Sequence, residues 1–230
     1  MSGRPEFQNP QNWHSRGYLP HYDAGGKCQM ITYRLADSLP QELLKNGSAG
    51  FQPAYKDLSL QEKVEHCKKI ETLLDTGYGS CILKKPPIAQ IVVNAWKFFD
   101  GERYDLIAYV VMPNHVHVLI NTYKEFTLKS VVHSWKSFTS NEIKKCLSAG
   151  SAGFQPANDR VVENNEEDAG KMPSLLNKVW QEDYWDRFIR DENHFKSSVN
   201  YILENPVKAG LVESWQEWPW SFSVYMEGVS

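Results

Sequence analysis

The sequence predicts an α+β domain, and three observations predict it. YDLIAYVVM (104–112) and HVHVLI (115–120) are two runs of β-forming residues joined by a Pro-Asn break. CQMITYRL (28–35) is a third run of the same kind. Between and after these lie stretches whose apolar residues recur at helical spacing.

Taken in chain order, residues 1–26 are rich in Gly, Pro, Asn and His and are expected to form an irregular arm. The remainder, 27–230, is expected to be one domain with loop insertions near 46–56 and 148–175. Ser59 followed by Glu62 is a capping-box pattern that opens a helix over 59–75. Two prolines in a first turn suit a helix over 86–99. Leu128, Val131, Val132, Trp135, Phe138 and Ile143 form the apolar stripe expected of a helix over 127–147. Residues 148–175 are polar and read as a mobile loop. A short strand near 184–189 precedes a helix from Asp191 to about Glu204, which Pro206 is expected to end.

Composition excludes several classes. No run of eighteen apolar residues is present, so no membrane span is expected. The N-terminus lacks the apolar segment of a secretory signal. Cys28, Cys67, Cys81 and Cys146 lie far apart without a CxxC pair, which suits a reducing cytoplasm and neither a zinc ribbon nor a disulfide framework. The formal net charge is −3. Residues 148–175 hold five acidic side chains against two basic ones, so the rest is neutral. Basic residues gather at Lys129, Lys136, Lys144 and Lys145, and again at Arg187, Arg190, Lys196 and Lys208. Charge alone does not point to nucleic acid.

SAGFQPA occurs at 48–54 and again at 151–157. Gly, Pro and Gln make a poor core, so both copies are expected in surface loop insertions. Two readings stay open: a duplicated linker, or a palindromic DNA element in the coding frame, since AGFQPA can be encoded with GCCGGC arms around TTCCA. The codons of the gene decide between them.

Two constellations could carry chemistry. In a strand, residues two apart share a face, so His115 and His117 present two imidazoles side by side while Val116 and Val118 point the other way. Imidazole is a good ligand for manganese-like and zinc-like ions. An isolated HxH also fits ordinary histidines, but polar side chains opening so apolar a strand need a reason. In RDENHFKSSVNYILENPVKAGL (190–211), Phe195, Val199 and Ile202 form a buried stripe, and His194, Ser198, Tyr201 and Asn205 fall on a polar stripe beside it. Tyr201 and Asn205 are one turn apart and can reach one point. That suits a nucleophile beside a metal-ligand amide oxygen, or a tyrosine at the core margin with its hydroxyl in water.

MPNHVHVLI (112–120) resembles the HUH motif, and NYILENPVKAGLV (200–212) resembles the tyrosine helix of single-tyrosine, IS200-like HUH transposases. Together with RGYLPHYD (16–23), ITYRLADSLP (31–40), YWDRFIRDENHF (184–195) and WPWSF (218–222), the set is similar to the REP-associated tyrosine transposases over most of the chain, breaking at 41–58 and 148–175. The resemblance implies a ferredoxin-like HUH domain with a central antiparallel sheet and helices packed on it. It implies His115 and His117 as ligands of a divalent ion (Mg2+ or Mn2+), Asn205 as third ligand and Tyr201 as nucleophile. The implied reaction is nicking and joining of single-stranded DNA at REP hairpins through a 5′-phosphotyrosine, by a monomer or a homodimer. A catalytically inactive DNA-binding protein and a metal-dependent hydrolase using water are the competing readings. Candidate DNA contacts, chosen as aromatic platforms and a basic track, are His14, Arg16, Tyr18 and His21 in the arm, with Lys129, Lys136, Tyr184, Trp185, Arg187 and Arg190. Trp135 fits core packing better than stacking.

Overall fold

The structure, a computed structural model, describes residues 13–15, 20–22, 25–40, 60–153 and 177–225. Its frame is a five-stranded antiparallel sheet built from β3 (Cys28–Arg34), β4 (Tyr104–Val111), β5 (His115–Thr122), β6 (Trp185–Phe188) and β7 (Ser221–Ser223), in the order β6-β3-β5-β4-β7. Helices α1 (Leu60–Asp75) and α2 (Pro86–Lys97) separate β3 from β4, α3 (Leu128–Gly153) separates β5 from β6, and α4 (Glu192–Lys208) follows β6. The unit β3-helix-β4-β5-helix-β6, with β3 and β5 central, is the ferredoxin-like arrangement. The α+β class and the antiparallel sheet expected from the sequence are both present.

β5 is the middle strand of the sheet and is buried on both faces. Its even-numbered side chains, Val116, Val118 and Ile120, join Tyr33, Trp96, Tyr109 and Trp135 in the larger core under α2 and α3. Its odd-numbered Leu119 joins Met30, Ala108 and Val110 in a smaller core under α4, which supplies Val199, Ile202 and Leu203. A register shift between Leu106 and Ala108 bulges β4 at Ile107.

Four expectations are corrected. Part of the arm is regular: β1 (Trp13–Ser15) pairs antiparallel with β2 (Pro20–Tyr22), as their β-forming aromatic residues allow. The polar segment from 148 is not all loop, because α3 runs on to Gly153; an established helix gains a backbone hydrogen bond with each added residue, which here carries it through two glycines. The second SAGFQPA copy therefore begins inside that helix, while 154–176 and the first copy lie outside the described residues. Pro206 does not end α4. It removes one backbone donor, yet it is buried, and the helix closes instead with Ala209 N donating to Asn205 O and Gly210 at φ 67°. Phe138, assigned to the buried stripe of α3, is 51% exposed.

Candidate active site

The histidines are set by a tight turn. Met112 N donates to His115 O across Pro113 and Asn114, so β4 and β5 form a hairpin with a two-residue loop. Leu35 N and Leu83 N donate to the carbonyls of Asn114 and Pro113, which ties this loop to two other parts of the chain. Both Asn114 amide protons are used as well, toward Leu74 O at 3.1 Å and Tyr78 O at 2.9 Å. The hairpin is thereby fixed to the end of α1.

From this anchor His115 and His117 point to the α4 face of the sheet, each 1% exposed. Their Nε2 atoms are 3.1 Å apart and their rings meet edge to face. Each Nδ1 has an oxygen partner: Asn114 Oδ1 at 2.8 Å from His115, and Thr32 Oγ1 at 2.7 Å from His117. Burial pushes the His115 pKa down to about 3, with the nearby Arg34 charge adding to the effect. Burial likewise pushes His117 well below its ordinary value, helped by His115 and Arg187. Both rings are neutral at pH 7, the state a metal ligand requires.

α4 brings the tyrosine. Asp191 caps the helix by accepting from His194 N at 2.8 Å. Val199, Ile202 and Leu203 bury the apolar stripe against the sheet. This rotation places the Tyr201 ring edge to face against His117, with centroids 5.2 Å apart. Asn205 follows one turn later, 2% exposed. Its Oδ1 is buried with no hydrogen-bond partner. Ser198, expected on the polar stripe, is also buried and donates to His194 O.

The Tyr201 phenol is held well above its ordinary pKa by burial first, then by the negative charges of Glu71 and Asp75; Asn205 and Arg187 oppose this. The Lys208 ammonium lies 5.3 Å from the Tyr201 ring centroid. The end of α1 therefore reaches the tyrosine as well as the histidine hairpin.

The donor set fits a divalent ion. The two imidazole Nε2 atoms lie 3.1 Å apart and are of the ligand type that suits such ions. An orphaned amide oxygen in the same layer is costly unless something occupies it. The described residues contain no cluster of three or more His, Cys, Asp or Glu able to hold a metal. Among the described residues, Asn205 offers an amide oxygen as a further donor.

The candidate DNA contacts divide between the two faces. Trp185 and Arg187 pair with Thr32 and Met30, so they lie on the histidine face. Arg190 is exposed at the start of α4. Lys129, Lys136 and Tyr184 instead line an open cleft of about 330 Å³ beside α3, on the other face. Lys136 there donates to Gln181 O and Glu182 O at 2.7 and 2.5 Å, and Tyr184 packs against the larger core. Trp135 is core, 1% exposed, as its place on the stripe predicts. His14 and His21 lie in the β1–β2 pair, which sits against β6. Arg16 and Tyr18 lie outside the described residues. Sequence reasoning missed Thr32, Arg34, Glu71 and Asp75. The first two alternate along β3 with buried apolar residues, a usable signal, but only the register opposite His117 and His115 gives it meaning.

Residues 80–152 match the family model described as "Transposase IS200 like". That segment contains the histidine hairpin and ends before Tyr201. A Haemophilus influenzae protein provisionally named a REP-associated tyrosine transposase is 24% identical over 121 residues, 51% of this chain and 58% of that protein. An Escherichia coli REP-associated tyrosine transposase is 39% identical over 46 residues, 20% of this chain and 28% of that protein. The aligned region thus spans just over half of one curated relative and little more than a quarter of the other. A solved REP-associated tyrosine transposase bound to a REP hairpin aligns over 88% of this chain and 80% of its own, with 16% identity and a TM-score of 0.48. No helix among the described residues is long and apolar enough to cross a membrane. Residues 80–152 of this chain are thus similar to IS200-like transposases, and parts of the chain are similar to REP-associated tyrosine transposases.

Proposed function

We propose that this protein is a metal-dependent single-stranded DNA endonuclease and strand transferase acting at REP-type hairpins. The observation that carries the reading is the edge-to-face contact of Tyr201 with one of two buried, neutral histidines whose Nε2 atoms converge. Three groups of the required kinds meet on one face of one sheet. The names of the relatives, REP-associated tyrosine transposases, support REP-type DNA as the substrate class.

In this reading His115 Nε2, His117 Nε2 and Asn205 Oδ1 hold Mg2+ or Mn2+. The ion, when bound, neutralises charge on the scissile phosphate and orients it for in-line attack. Tyr201 Oη then attacks phosphorus and displaces the 3′-oxygen. The products are a 5′-phosphotyrosine and a free 3′-hydroxyl, and attack by a 3′-hydroxyl reverses the step on the same or another strand. An ordinary phenol is only about one part in a thousand ionised at pH 7, and burial makes Tyr201 harder to ionise. The protein's own help is modest: the Asn205 side chain and the Arg187 charge both favour the phenolate. In this reading Trp185 stacks on a base and Arg187 meets a phosphate, which their pairing with Thr32 and Met30 on the histidine face supports.

The test is incubation with a hairpin-bearing single-stranded oligonucleotide and Mn2+, read on a denaturing gel. A covalent protein–DNA adduct is expected, and Tyr201→Phe should lower it at least about a thousandfold with the fold intact. Cleavage that survives Tyr201→Phe but not His117→Ala means that water is the nucleophile. Binding without cleavage in the unaltered protein means that the fold is kept for recognition alone.

A further inference from the structure

The geometry points to Asn114 and Thr32 as positioning residues with unlike tasks: Asn114 keeps His115 permanently in the ligand tautomer, and Thr32 lets His117 exchange one tautomer for the other as an ion arrives. This rests on the divalent-metal reading above.

The argument is a proton count. Asn114 Nδ2 carries two protons, and both go to carbonyls, Leu74 O and Tyr78 O. The amide orientation is therefore fixed, and Oδ1 is the atom facing His115 Nδ1 at 2.8 Å. A carbonyl oxygen only accepts. His115 must then carry its proton on Nδ1, which leaves Nε2 bare. That bare nitrogen faces His117 Nε2 at 3.1 Å. Two bare nitrogens would repel at this distance, so without an ion His117 carries its proton on Nε2 and donates it to His115. His117 Nδ1 is then bare, and Thr32 Oγ1 donates to it at 2.7 Å.

An ion requires the opposite of His117. Its Nε2 must give up the proton, and a neutral ring must take one on Nδ1. One proton leaves and one arrives, so the ring's charge is unchanged. A hydroxyl can serve both states, because it donates to a bare nitrogen and, after turning, accepts from a protonated one. An amide oxygen in that place could serve only one. The two partners thus differ in kind for a reason: a fixed acceptor where nothing has to change, and a reversible group where the proton has to move. Valine at position 32 would keep the shape and leave the Nδ1 proton of the metal-bound tautomer buried without an acceptor.

The test uses the full chain with 15N-labelled histidine. In EDTA at neutral pH, long-range 1H–15N spectra should show His115 protonated at Nδ1 and His117 at Nε2. Adding Zn2+ as a diamagnetic probe should move the His117 proton to Nδ1 and leave that of His115 in place. Mn2+ affinity, read by EPR of the free ion, should fall about tenfold or more in Thr32→Val and return to within about twofold of the original in Thr32→Ser. Two results overturn the inference while sparing the metal site: a His117 already protonated at Nδ1 in EDTA, or a Thr32→Val protein that binds Mn2+ as tightly as the original. If the original protein binds no Mn2+, the metal reading falls and takes this one with it.

Discussion

The two faces of β5 are made by alternate residues of one eight-residue strand, and they are built to opposite ends. Val116, Val118 and Ile120 face a continuous apolar core in which two buried indoles have their N–H groups paired, Trp96 donating to Tyr33 Oη and Trp135 to Tyr104 Oη. His115 and His117 are themselves buried polar rings, and they face a layer that keeps an amide oxygen without a partner. The first face supplies stability. The second retains costly groups that stability alone does not require, which suits the binding role proposed for it.

The sharpest way to break this comparison is to cut the closed face. Trp135→Ala should lower unfolding free energy by about 3–5 kcal/mol, read by urea denaturation, whereas Phe138→Ser on the same helix should leave it within about 0.5 kcal/mol. Equal losses would mean that the burial contrast between them is wrong.

The open face can be probed by acid. His115 in the folded state titrates near 3 and in the unfolded chain near 6.5, so between these values the unfolded chain binds more protons. Stability from this group is full above pH 6.5 and is lost as pH falls toward 3. In EDTA, the fall between pH 6.5 and 4.5 should be shallower in His115→Gln by about 2 kcal/mol. Identical slopes would remove the buried neutral histidine from the account.

The smallest effect concerns the end of α1. Glu71 and Asp75 raise the Tyr201 pKa through their charge. Neutralising them as Glu71→Gln and Asp75→Asn should speed adduct formation at pH 7 by about two- to threefold, measured in single-turnover assays. A slower rate would show instead that the carboxylates take part in binding the ion or moving the proton.

Much of this was legible in the sequence because it is written locally. The Pro-Asn break, the strand alternation that sends His115 and His117 to one side, and the helical spacing that joins Tyr201 to Asn205 need no knowledge of the rest of the chain. Thr32, Arg34 and Glu71 were not legible, because their roles depend on which residue lies opposite in a register or on which helix end comes near. The helix boundaries failed where local rules were overruled. Pro206 is carried through by tertiary packing, and the small residues after Leu147 extend a helix that composition alone reads as loop.

The histidine strand has one hydrogen-bonded neighbour on each side, β3 and β4, with a further strand beyond each and helices over both faces. Its amides should be among the last in the molecule to exchange with deuterium, which makes the imidazoles a stationary anvil. Tyr201 stands on a different element, α4, which meets that strand through side-chain packing.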